Sequence, residues 1–366
     1  MRVNTAKTPR LLNVDDSLNA DHAYRLACEG TQLLWHGDFH NAKNMLQALA
    51  RRVDAAAKKR KAPPAPSGVP AAAHAFHQHR QRQAQRASIL SALVLPLQAD
   101  YSLPLRRAPD VRNACLQAWG EPNTTTPSPV SLRELLGVIG AYEWRKKGVE
   151  IPALGAPPNN RIHPYYGVFS PVRGEYVDLV ACAPLPARTL AFDIGVGTGV
   201  LSAVLLKRGV QHVVATDQDP RALACAEENL QRLGYVKQVR LQATDLFPEG
   251  LAPLVVCNPP WVPARPTSPI EHAVYDEGSR MLRGFLAGVR AHLAPAGEAW
   301  LILSDLAEHL HLRSRADLMQ WIDDGGLQVI DRLDIRPRHA KAQQSNDALH
   351  HARAAEVTSL WRLSAA

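Results

Sequence analysis

From residue 189 onward the chain alternates short apolar runs with stretches whose apolar positions recur every three or four residues. The runs at 189–194, 212–217, 236–243, 252–257, 297–304, 326–335 and 356–363 have the length and side chains of strands. Between them, residues 199–207, 219–234, 279–293 and 313–324 carry helical spacing. Asp219 followed by Pro220 supplies a helix N-cap and a first-turn proline, and Gly234 a stop. Such alternation predicts an α/β domain over residues 161–366, a seven-stranded, largely parallel sheet covered by helices on both faces. Ligands of such sheets sit at the carboxyl ends of the strands.

The N-terminal half reads differently. Residues 1–20 show no period and are expected to be a loose arm, closing into a helical segment over 1–54. From Asp21 to Val53, Leu26, Leu33, Leu34, Met45, Leu46 and Leu49 fall at helical spacing, with a break at Gly37-Asp38, so two helices are expected. The junction Trp35 to Asn41 is expected to be a loop packed by its two aromatics. Residues 55–88 lack an apolar stripe and hold Pro63, Pro64, Pro66 and Pro70, which predicts a linker. His74, His77 and His79 decorate it. Residues 89–160 look folded again, with a helix from Ser131 to Trp144 opened by a Ser131/Glu134 capping box. The whole is expected to be a mostly helical accessory domain.

Composition adds two constraints. With 366 residues, 46% hydrophobic and 21% charged, the chain can bury a sizeable core. Cys28, Cys115, Cys182, Cys225 and Cys257 form no C-x-x-C pair, which predicts reduced thiols, a cytoplasmic setting and no metal site. The apolar stretch 89–97 is too short to span a bilayer. Charge is lopsided: residues 1–150 hold 21 Lys and Arg against 12 Asp and Glu, a balance of +9, leaving 21 against 22, or −1, for the rest. Nine basic residues lie between Arg51 and Arg86 against Asp54 alone. The segment is readable as an electrostatic tether for nucleic acid or as a solvated spacer.

The chemistry concentrates in AFDIGVGTGVL, residues 191–201. A strand ending in Asp193 runs into Gly195, Gly197 and Gly199, which let a ligand lie directly on the main chain. A dinucleotide fingerprint would need a third glycine at position 200, where Val200 stands. An acid at this strand tip repels a pyrophosphate but pairs with an ammonium group. A nucleoside bearing an amino acid fits better than one bearing phosphates.

This stretch resembles motif I of the class I S-adenosylmethionine-dependent methyltransferases. The resemblance implies a Rossmann-like seven-stranded methyltransferase core with S-adenosyl-L-methionine held by Asp193, Gly195, Gly197, Thr198 and Gly199. It extends down the chain. HVVATD ends in Asp217, eighteen positions beyond Gly199, where the family places the acid that accepts the ribose hydroxyls. VRLQATD ends in Asp245, which with Leu246 stands where the family contacts adenine. APLVVC runs into Asn258-Pro259-Pro260-Trp261, which matches the (N/D)-P-P-(Y/F/W) signature of enzymes that methylate planar nitrogens. The resemblance makes these four the catalytic residues: the Asn258 side-chain oxygen and the Pro259 carbonyl accept from the target NH2, Pro260 stiffens the loop, and Trp261 offers a stacking face. Asn258 also borders the cofactor.

The segment 161–184 resembles the approach to motif I in HemK-like glutamine methyltransferases, but where that family has P-R-P-E-T-E this chain has Pro171-Val172-Arg173-Gly174-Glu175-Tyr176. Two enzymatic readings stay open: a glutamine amide in a protein such as a translation factor or ribosomal protein, and an adenine or guanine amine in RNA or DNA. A third, a non-catalytic cofactor-binding scaffold, fits poorly with intact Asp193, Asp217 and Asn258. The long loop 336–355, with Arg336, Arg338, Lys341 and His350-His351, is expected near the active side. Oligomeric state is not legible.

Overall fold

The computed structural model describes residues 10–59, 63–172, 174–266, 271, 274–337 and 349–366. The chain divides into two compact units: residues 1–66 with 77–143, and residues 67–76 with 144–366.

The first unit is built on a four-stranded sheet. Its elements are β1 (Leu11–Val14), α1 (Ala20–Cys28), β2 (Gln32–Trp35), α2 (Phe39–Lys59), α3 (Ala71–Ser91), β3 (Leu93–Leu97), α4 (Arg112–Trp119), β4 (Ser128–Ser131) and α5 (Leu132–Lys147). α3 and α5 each cross the division between the units. β1, β2 and β3 run parallel and β4 joins β3 antiparallel. Leu33, Trp35, Phe39, Leu49, Leu93, Leu95, Leu132 and Leu135 fill its core.

Helices outnumber strands here, yet several expectations change. Part of the arm is β1, and a strand separates the two helices expected over 21–53. Both strands have four residues, too few for periodicity to register. Of the loop expected from Trp35 to Asn41 only residues 36–38 are loop, because Trp35 ends β2 and Phe39 opens α2; both aromatics are buried, as expected. The linker expected over 55–88 is helix up to Lys59 and again from Ala71. Its Ala, Gln, Arg and Lys are strong helix formers, and the four prolines stand between the helices instead of inside one; Arg60 and Lys61 lie outside the described residues. The capping box at Ser131 does not form: Ser131 ends β4, and its buried hydroxyl has no hydrogen-bond partner among the described residues.

Besides residues 67–76, the second unit takes the chain from Trp144 onward, before the expected boundary at 161. Ile151, Leu154 and Ile162 explain why, since they are buried in the same core as the helices after them. Its elements are β5 (Val149–Glu150), β6 (Arg161–Ile162), α6 (Glu175–Cys182), β7 (Leu190–Ile194), α7 (Val200–Lys207), β8 (His212–Asp217), α8 (Pro220–Arg232), β9 (Val239–Ala243), β10 (Ala252–Cys257), α9 (Arg280–Gly288), β11 (Leu293–Ser304), α10 (Leu306–His309), α11 (Arg315–Asp324), β12 (Leu327–Ile335), α12 (His350–Ala355) and β13 (Thr358–Ala365). The seven-stranded sheet runs β12-β13-β11-β10-β7-β8-β9, with β13 antiparallel to both neighbours and the other pairings parallel.

Helices cover both faces, as the alternation predicts. On one face α6, α7 and α8 bury Tyr176, Val204 and Leu230 against Val213 and Val256. On the other, α9 and α11 bury Phe285 and Ile322 against Phe192 and Leu301. Of the loop expected over 336–355, the last six residues form α12, while Arg338 and Lys341 lie outside the described residues. No helix among the described residues is long and apolar enough to cross a membrane.

Candidate active site

The strand order reverses between β10 and β7, the place where parallel sheets open a crevice at their carboxyl ends. β10, β7, β8 and β9 are neighbours there, so Asn258, Asp193, Asp217 and Asp245 stand at or just beyond four adjacent strand ends. The sequence scatters these residues over 66 positions, from 193 to 258; the sheet gathers them on one edge.

The glycine loop between β7 and α7 has Gly195, Gly197 and Gly199 at φ of 78°, 53° and 79°, a region open to glycine at little cost. Side chains there would also collide. A Cβ on Gly195 would come 2.7 Å from Met281 Cε, and one on Gly199 3.3 Å from the Ala226 backbone. The loop is pinned by backbone N–H groups of Gly195 and Val196, which donate to the Thr216 carbonyl at 2.9 and 2.8 Å. Gly197 N–H donates to Asp217 Oδ2 at 3.1 Å, while Asp219 N–H donates to Asp217 Oδ1 at 3.0 Å. Burial raises the Asp217 carboxyl above its ordinary value.

Asp193 is buried beneath this loop. Its Oδ2 accepts from the Ser202 backbone at 3.0 Å and the Ser202 hydroxyl at 2.6 Å. Burial outweighs both bonds and, with the charge of Asp217 nearby, pushes the carboxyl up to about 6. Thr198 is buried, and its carbonyl accepts from Asn229 Nδ2 at 3.1 Å. Oδ1 of Asn229 accepts the backbone N–H of His163 at 2.7 Å, which ties the glycine loop to the segment leading into the domain. Asp219 caps α8 through Arg221 N–H, with Pro220 in its first turn.

Beyond β9, Asp245 is exposed and ion-paired with Arg280 at 2.9 Å. Leu246 takes a left-handed φ of 65°, and its carbonyl accepts the Thr216 hydroxyl at 2.5 Å. At the end of β10, Pro259 is buried and Pro260 half-buried. The indole N–H of Trp261 donates to Asn258 Oδ1 at 2.9 Å. Its ring stands 6.5 Å from that of Tyr176 at an interplanar angle of 84°. α6, which carries Tyr176, begins just after the Pro171 turn.

Ser202, Asn229, Tyr176 and Met281 were not singled out from sequence. Asn229 left a trace there, as the one polar residue on the α8 face formed by Ala222, Cys225, Ala226 and Leu230. The arrangement is a glycine cradle flanked by buried or half-buried acids, suited to a ligand with hydroxyls and an ammonium and unsuited to one with phosphates.

Residues 160–316 match the family model described as "Methyltransferase small domain", which bears out the resemblance read at the strand ends. Among curated relatives, the chain is 29% identical to the "Release factor glutamine methyltransferase" of Cereibacter sphaeroides, over 47% of this chain and 65% of that one. It is 34% identical to the "Ribosomal protein L11 methyltransferase" of Bordetella parapertussis, over 33% of this chain and 39% of the relative. It is 26% identical to a "tRNA1(Val) (adenine(37)-N6)-methyltransferase" of a Shewanella species, over 46% of this chain and 72% of the relative. The chain thus spans less than two thirds of the first two relatives.

Proposed function

We propose, from the match to the methyltransferase small domain and the strand-end geometry, that the protein is a cytoplasmic S-adenosylmethionine-dependent N-methyltransferase acting on a planar nitrogen of a macromolecule. The observation that carries the proposal is the set Asp193, Asp217, Asp245 and Asn258 at four adjacent strand ends around a glycine cradle. Asp193 and the backbone of residues 195–199 would hold the amino-acid part of the cofactor, Asp217 the ribose hydroxyls, and Asp245 with Leu246 the adenine. When bound, S-adenosylmethionine supplies a methyl carbon on a positively charged sulfur; the substrate nitrogen forms the new C–N bond, the C–S pair stays on sulfur, and the surplus nitrogen proton leaves to solvent.

Because an amide or base-amine lone pair is delocalised, the work of the chain is alignment and polarisation. Asn258 Oδ1 and the Pro259 carbonyl accept from the target N–H groups and draw the lone pair toward the methyl. Pro259 and Pro260 fix φ and keep these acceptors in place.

For substrate, our first reading is a glutamine amide of a protein in the translation apparatus, supported by the HemK-like segment and the release-factor relative. A second, an adenine amine in RNA, is favoured by the +9 balance of residues 1–150 and by the tRNA-methylating relative. In either case the first unit would select the substrate. The test is tritiated methyl transfer from S-adenosylmethionine into whole-cell lysate, followed by protease or nuclease. Protease-released label supports the amide and nuclease-released label the base. Asn258→Ala should lower both about 10²–10³-fold while keeping affinity for S-adenosylhomocysteine within a few-fold; full activity in that variant would sink the proposal.

A further inference from the structure

We infer that Trp261 is a positioning residue that orients the carboxamide of Asn258, not a face on which the substrate stacks. This rests on the role proposed for Asn258. The indole lies where all three apolar clusters of this region meet, packing against the cores on both faces of the sheet and against the smaller cluster of Phe76, Val262, Leu310 and Leu349. Tyr176 stands at right angles to it. A ring held on so many sides is part of the wall, and its N–H points at Asn258 Oδ1, 2.9 Å away.

An indole nitrogen can only donate, whereas a carboxamide presents an acceptor at one end and donors at the other. Trp261 therefore decides which end of Asn258 is oxygen, a choice that packing alone leaves open because the two ends have nearly the same shape. A carbonyl oxygen has two acceptor sites. The indole takes one, and the second remains for an N–H of the target nitrogen. With the amide turned over, Nδ2 would face both the indole N–H and the target N–H, two donor–donor contacts. Phenylalanine at 261 would retain an aromatic ring but leave the amide free to turn.

The test compares Trp261→Phe, Asn258→Ala and the double variant of the full chain. Activity is read as tritiated methyl transfer from S-adenosylmethionine into whole-cell lysate, with lysate dilution as the substrate axis. Affinity for S-adenosylhomocysteine and the melting temperature are measured alongside. Loss of one hydrogen bond predicts a roughly three- to tenfold lower kcat for Trp261→Phe at nearly unchanged KM. In the Asn258→Ala background the same change should cost nothing further, the mark of a residue that acts through another. A raised KM, or an equal loss in both backgrounds, would overturn the inference in favour of substrate stacking. A structural readout stands beside activity: Asn258→Ala should shift the Trp261 indole N–H resonance and speed its exchange, and an unmoved resonance would refute the bond even if Trp261→Phe proved unstable. A fully active Asn258→Ala protein would sink the proposed function, whereas a strongly impaired one beside a fully active Trp261→Phe sinks this inference alone.

Discussion

The Asp193 carboxylate accepts both the backbone N–H and the hydroxyl of Ser202, at 3.0 and 2.6 Å, from beneath the glycine loop. Burial still pushes its carboxyl up to about 6, above the 3.8 of a free aspartate. A folded value above the unfolded one means that the folded state binds the extra proton. The stabilisation from protonated Asp193 is therefore complete below about pH 4 and is lost as pH rises through about 6. An ammonium group bound beside it favours the ionised form, so ligand binding should expel that proton. Affinity for S-adenosylhomocysteine should thus rise between about pH 5 and 7 and then level off. Titration calorimetry across this range checks it, and the pH dependence should flatten in Asp193→Asn.

Asp217 serves the loop as well as any ligand, since Gly197 and Asp219 each donate a backbone N–H to it. Asp217→Ala should lower affinity for S-adenosylhomocysteine more than tenfold, because a hydrogen bond to a charged group contributes about 1.5–3 kcal/mol. Asp217→Asn keeps one acceptor oxygen and should lose less. Calorimetry of both variants, with far-ultraviolet dichroism to verify the fold, decides the matter; unchanged affinity in Asp217→Ala would remove this residue from the cofactor site.

Asn229 holds the glycine loop from a distance. Truncation to alanine strands the His163 N–H and the Thr198 carbonyl in a buried place, at about 1–3 kcal/mol for each unsatisfied group. Asn229→Ala should lower the urea midpoint with little change in slope. Asn229→Asp should not rescue it, because it keeps the acceptor for His163 but turns a carboxylate toward the Thr198 carbonyl. A midpoint within error of the parent would show that the loop does not depend on this bridge.

The parts legible in sequence are those whose chemistry is local. Three glycines needing positive φ, an acid at a strand tip and Asp219-Pro220 opening a helix all declare themselves within a few residues. What stays hidden depends on distant partners: His163 meets Asn229 across 66 positions, and Tyr176 of α6 meets Trp261 in the loop after β10. Even the short bond from Trp261 to Asn258 was illegible, because sequence does not say which way an indole turns. In the first unit, strands of four residues fell below the length at which alternation can be seen. The polar helix α3 reads as a linker in sequence because its few buried side chains, Phe76 among them, form no stripe.

The pair between Asp245 and Arg280 separates two accounts of Asp245. If the carboxylate is a surface partner of Arg280, removing either side chain should have the same small effect on stability and none on ligand binding. Both side chains are more than half exposed, at 53% and 57%, and exposed pairs contribute under about 1 kcal/mol. If Asp245 instead receives the adenine amino group, the two variants must diverge. Arg280→Ala frees the carboxylate from a competing partner, so affinity for S-adenosylhomocysteine should hold or rise slightly. Asp245→Ala removes the acceptor, and affinity should fall about threefold to tenfold, the cost of one ordinary hydrogen bond. An inosine-based analogue, which lacks the amino group, should bind the parent and Asp245→Ala equally. We expect divergence, because Leu246 next to Asp245 is held in a left-handed turn by the Thr216 hydroxyl, a backbone strain that a mere surface pair does not require. Equal affinities for the two alanine variants, measured by calorimetry at one salt concentration, would return Asp245 to the surface and leave the adenine to other groups.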